Sequence, residues 1–238
     1  MSVQKMMGNA VDPDGKWLYR AGGISALVFG IAYILIIALY VPRGAPPSGA
    51  EARLVYMAGN TTVWWAILGL SVLTDFLLVP VALSLYLALK EIDRNAMLVA
   101  TTFIGLFVLL DLAITWTNYA VLITLSGNYA AATNDVQRTA LVAAANYPTM
   151  VLESSLLFIY NTLTLSIAIL MAGFVMQKGI FSRSTAYLGI ATGIAGIVAV
   201  AGSFFTSALN ITIIIASLLT TLWALFVGYR LYRLDHSH

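Results

Sequence analysis

The sequence predicts an all-α fold, a polytopic transmembrane bundle of six helices with both termini in the cytoplasm, and three observations lead to it. Of 238 residues, 61% are hydrophobic and only 9% are charged, against roughly 25% charged in soluble domains, and the mean hydropathy is +0.91. Six segments stay apolar over the ~20 residues that a helix needs to cross a bilayer. The basic residues alternate between the two sides of those segments. Lys5, Lys16, Arg20, Lys90, Arg94, Lys178, Arg183, Arg230 and Arg233 fall on one side, and Arg43, Arg53 and Arg138 on the other. The positive-inside rule places the richer side in the cytoplasm.

Residues 1–16 read as a cytoplasmic arm, turn-rich at Asp12, Pro13, Asp14 and Gly15. Residues 17–234 form one membrane domain and 235–238 a short tail. Span one runs from Trp17 to Val41 and is closed by Pro42; Arg43 to Ala50, with Pro46 and Pro47, reads as an extended loop. Its length and the lack of a small-residue cleavage site make it a retained span and not a signal peptide. Span two covers Val63–Leu89 and contains Pro80, which is expected to kink it. A polar turn at Lys90, Glu91, Asp93 and Arg94 leads to span three, Met97–Leu125.

Ser126, Gly127 and Asn128 open the longest connection. Within it Asn134–Ala145 is expected to form a short surface helix capped by Thr133 or Asn134, with Pro148 starting span four, Met150–Met176. A turn around Lys178 and Arg183 precedes span five, Thr185–Phe205, and span six follows over Asn210–Tyr232. Gly22, Ala26 and Gly30 on span one, and Gly189, Gly193 and Gly196 on span five, make small-residue faces that let helices approach closely inside the bundle.

Several chemistries are excluded. The net charge of +2 comes from basic residues scattered singly, so no nucleic-acid partner is expected. There is no cysteine, hence no disulfide, thiolate nucleophile, iron–sulfur cluster or Cys-bound zinc. Both histidines, His236 and His238, stand at the C-terminal end, so no span offers a haem or zinc ligand or a histidine base. No span carries a lysine for a retinal Schiff base. No cofactor and no metal are expected.

The lead-in Leu18-Tyr19-Arg20-Ala21-Gly22, the stretch Ile180-Phe181-Ser182-Arg183 with Tyr187-Leu188-Gly189, and the exit Gly228-Tyr229-Arg230-Leu231-Tyr232-Arg233 share a pattern. Together they resemble a bacterial and archaeal family of six-span membrane proteins catalogued as a domain of unknown function. Members often carry a proline beside the arginine before span five, where this chain has Ser182 and Ser184. The resemblance implies an architecture and a location in the plasma membrane, and it brings no activity or site residues.

Seven of the ten carboxylates lie in tails or loops, leaving Asp75, Asp111 and Glu153 inside spans. A charged Asp at a helix centre costs about 2.5 to 3.5 kcal/mol, so each must be protonated, hydrogen-bonded, hydrated or cation-bound. Asp111, Thr115 and Asn118 recur at i, i+4 and i+7, one polar stripe on span three, and Glu153, Tyr160, Asn161 and Thr164 recur similarly on span four. The functional reading is a polar pocket between spans two, three and four, built from Asp75, Asp111, Glu153, Thr115, Asn118 and Asn161. It would take a small polar solute, a cation or a proton. The plain alternative is interhelical hydrogen bonding worth about 0.6 kcal/mol per contact.

The chain reads as a non-enzymatic membrane protein, a small carrier or a sensor or accessory subunit. An intramembrane enzyme working on a lipid-like substrate through its carboxylates is the alternative, weakened by the lack of a nucleophile–base pair. The lipid bilayer is the certain partner; a membrane-protein partner and a homo-oligomer both stay open.

Overall fold

The computed structural model describes residues 15–204 and 211–235; most of the arm, Phe205, Asn210, His236 and His238 lie outside them. The helices are α1 (Lys16–Tyr40), α2 (Ala50–Ala58), α3 (Thr61–Leu89), α4 (Arg94–Leu110), α5 (Thr117–Ala131), α6 (Asp135–Leu152), α7 (Ser155–Met176), α8 (Arg183–Ser203) and α9 (Ile211–Asp235). A π-helical turn, Asp111–Trp116, joins α4 to α5 without a break, and a 3-10 turn, Val41–Arg43, follows α1. Six helical stretches are long and apolar enough to cross a membrane, and no strand occurs among the described residues. The chain is an all-α integral membrane protein.

The spans close a ring. α1 packs between α3 and α9, α3 meets α4, α4 meets α7, α7 meets α8, and α8 returns to α9. Small residues set the closest approaches, because between helices in lipid it is packing and not water exclusion that holds contacts together. A Cβ on Gly23 of α1 would lie 2.7 Å from the backbone nitrogen of Tyr232, and one on Gly193 of α8 would lie 2.7 Å from the Ser166 carbonyl oxygen. The predicted small-residue faces are therefore seams within the chain. Large side chains such as Phe76, Leu109 and Phe174 point outward, where the bilayer covers them.

Three core layers stack along the ring. The layer nearest the two terminal helix ends holds Tyr19, Leu89, Met97, Met176, Phe181 and Leu231. A middle layer gathers Phe29, Leu78, Ile104, Val108, Ala168 and Ala224. At the opposite end Leu54, Met57, Trp64, Leu122, Ile123 and Ala145 form the third. Arg230 Nε donates to the Ile180 carbonyl at 2.8 Å, tying the last helix to the turn before α8. Side-chain caps start four helices sharply: Asp93 accepts from Ala96 N, Asn134 from Gln137 N, Ser154 from Leu156 N, and Ser182 from Thr185 N.

Three expectations need correction. Residues 50–58 are not loop but helix α2, packed against α5 and α6. Span three does not stop at Leu125. Ser126, fully buried, returns its hydroxyl to the Leu122 carbonyl at 2.7 Å, and the helix runs on to Ala131. Pro148 does not start span four; it sits inside α6, which extends to Leu152, and the break falls at Glu153–Ser154, where Ser154 caps α7. Pro80, by contrast, lies inside a continuous α3, as its place within span two required.

The stretch from Arg94 to Ala131 is 38 residues long, about 57 Å at helical rise, against a hydrocarbon core of ~30 Å. The helix is therefore longer than the hydrocarbon core is thick. At its far end α5, α6 and α2 form a cap. Tyr129 donates to Glu51 at 3.0 Å, and buried Arg53 pairs with Glu153 at 3.3 Å while donating to the Pro47 carbonyl. Tyr56 in this cap donates to the Gly44 carbonyl at 2.8 Å. Burial raises its hydroxyl above the ordinary tyrosine value, with Arg43 and Arg53 opposing, so it stays a neutral donor.

Candidate functional site

The π turn builds the site. Its backbone hydrogen bonding reaches one residue further than an α-helix, so it adds a residue without ending the helix, and the Thr117 hydroxyl separately donates to the Leu112 carbonyl at 3.1 Å. The extra residue turns the face that follows by about 100° relative to an uninterrupted helix. Asp111, Thr115, Trp116 and Tyr119 consequently share the inward face. Asn118, which an ideal helix would have placed there, is turned away and donates to the Ile114 carbonyl at 2.7 Å.

Asn161 on α7 meets this face. Its Nδ2 donates both to Asp111 Oδ1 at 2.8 Å and to Thr115 Oγ1 at 2.9 Å. With the amide nitrogen committed to two acceptors, the Asn161 carbonyl oxygen is left buried and without a hydrogen-bond partner. Trp116 at the other end of the turn donates its indole N–H to Asp75 Oδ2 on α3 at 2.7 Å. Asp75 and Asp111 are 3% and 5% exposed, and each has the hydrogen-bonded partner that a buried carboxyl requires.

These groups line or border a cavity of about 350 Å³ set between the middle core layer and the third, which holds Trp64. Tyr33 of α1, Phe107, Trp116 and Tyr119 give it aromatic walls, and Ser166, Thr192, Ser217 and Thr220 bring hydroxyls from α7, α8 and α9. No lysine, arginine or histidine among the described residues lines it. Among the described residues, no group of three or more His, Cys, Asp or Glu converges in a metal-ligand arrangement.

Of the six residues singled out in the sequence, the structure joins Asp111, Thr115 and Asn161 directly and attaches Asp75 through Trp116. Asn118 and Glu153 stand apart. Glu153 belongs to the cap, where it accepts from Arg53 and from the Gly49 backbone N–H at 3.1 Å. The cavity also lies between different spans than expected, drawing on one, three, four, five and six, with span two behind. Tyr33, Trp116, Thr192 and Thr220 escaped sequence reading, since aromatic and hydroxyl residues recur on most spans. Comparison with family models, with curated proteins and with solved structures finds no match.

Proposed function

We propose that the chain is a non-enzymatic multi-pass protein of the plasma membrane, a small carrier or sensor subunit, whose central cavity receives a small polar solute, a cation or a proton. The observation that carries this reading is the Asp111–Asn161–Thr115 cluster opening on a 350 Å³ cavity inside a membrane ring. Ionisable groups buried in spans are retained for function by default, and pure scaffolding would need neither the open volume nor the unpartnered Asn161 oxygen. The resemblance to the six-span family belongs to the same proposal. The Arg230–Ile180 bond gives two of its motifs a common structural task.

In this reading both termini and the Lys90–Arg94 and Lys178–Arg183 turns are cytoplasmic, and the cap of α2 and α6 is outside. Reporter fusions in the turns and after Thr133 test the topology; cytoplasmic activity after Thr133 would overturn it. Infrared difference spectroscopy on addition of inorganic cations, ammonium ions, polyols and sugars tests the cavity. At least one solute should perturb a carboxyl band that is missing in Asp111→Asn. No perturbation by any class would leave only the scaffold.

A further inference from the structure

We infer that the cavity takes an organic ammonium ion, a small amine in its protonated form; this rests on the reading that the cavity receives a solute. The hydrogen-bond inventory of the wall points to it. The nitrogen donors are already engaged: both amide N–H bonds of Asn161 run to Asp111 and Thr115, and the Trp116 N–H runs to Asp75. Two hydroxyls give their protons to their own helices, Thr192 to the Leu188 carbonyl at 2.7 Å and Thr220 to the Ala216 carbonyl at 2.8 Å. Each then offers the cavity only oxygen lone pairs.

Beside the hydroxyls of Tyr33, Ser166 and Ser217, which can donate or accept, the wall presents the acceptor oxygens of Thr192 and Thr220 and the Asp111 carboxyl. A ligand that completes this wall must bring N–H or O–H donors, and an anion has no basic residue to meet. The aromatic walls select further, because ring faces attract a desolvated ammonium by cation–π interaction. Trp116 and Tyr119 are already paired as neighbours, their centroids 5.7 Å apart and the planes tilted by 45°. The volume suits an organic ion better than a bare metal ion. A bare metal ion wants a shell of six or more oxygens, whereas 350 Å³ falls in the range of small-molecule pockets.

Asp111 is the pairing carboxylate, and Asp75, absent from the lining, is a positioning residue that holds Trp116. The test uses the full chain in phosphatidylcholine nanodiscs, with empty discs as blank and titration calorimetry as readout. The probes are benzylammonium, its neutral counterpart benzyl alcohol, benzoate, and sodium and potassium chloride. Benzylammonium should bind about tenfold or more tightly than benzyl alcohol, and Asp111→Asn should remove that preference. Asp75→Asn should keep the preference for the amine but shift the tryptophan emission. Equal binding of alcohol or benzoate, or an unchanged preference in Asp111→Asn, would overturn the inference. Should that variant fail to fold, the preference of the unaltered chain decides alone. Binding of sodium or potassium without benzylammonium overturns the ammonium while leaving the cavity reading intact. Silence from every probe, together with an unperturbed carboxyl band in the infrared experiment, removes both.

Discussion

An indole N–H pointed at a carboxylate inside a bilayer is the most consequential single bond in this molecule. Trp116 and Asp75 come from different spans, and each leaves the other a buried polar atom if it is lost. A double-mutant cycle of Trp116→Phe and Asp75→Leu, followed by thermal unfolding in detergent, should show a coupling of about 0.6 to 1.7 kcal/mol, the measured range for interhelical bonds. Strict additivity would mean the bond contributes nothing. Asp75 and Asp111 were legible in the sequence because a carboxyl among ~20 apolar residues needs a reason. Their partners were not. Asn161 and Thr115 were read from helical spacing, but Trp116 and Tyr33 look in sequence like ordinary lipid or core aromatics, and only the fold gives them an acceptor or a cavity to face.

At the scale of elements, two features decide the packing, and they differ in how visible they are. Close helix seams follow from glycine and alanine at four-residue spacing, and those were readable. Gly193 and Gly105 test them as a pair. Gly193→Ala pushes a methyl against the Ser166 carbonyl and should cost about 1–3 kcal/mol, whereas Gly105 has nothing within 4 Å and Gly105→Ala should be neutral or gain up to about 1 kcal/mol. Equal effects on detergent unfolding would remove the seam. The π turn was not readable, since its residues, Asp111 to Trp116, carry no glycine or proline and no special propensity. Missing it put Asn118 on the inward face. The Ser126-Gly127-Asn128 triplet misled in the other direction, because it looks like a turn in isolation while α5, buried against α2 and α6, holds it helical.

Over the whole molecule the six crossings were legible from length and hydropathy alone, which fix how many helices fit a bilayer. The cap was not, because α2 is nine residues long and carries Glu51 and Arg53, giving no span signal and only a modest helix signal. Its anchor is the Arg53–Glu153 pair. Arg53 is buried while the Glu153 side chain is 33% exposed, so Arg53→Met should cost about 1–3 kcal/mol, less than for a fully buried pair. Glu153→Gln keeps an acceptor for Arg53 and for Gly49 N–H and should cost less than half of that. Thermal unfolding of the two variants in one detergent settles the order, and a harmless Arg53→Met would show the cap to be held by packing alone. The cap also gives the particle a lopsided silhouette. It stands at one end of the ring, while among the described residues the opposite end carries only the short turns at Lys90–Arg94 and Lys178–Arg183. In vesicles or single-particle images viewed edge-on, that knob marks sidedness by itself, so the fraction inserted in each direction can be counted without an antibody or a fused tag.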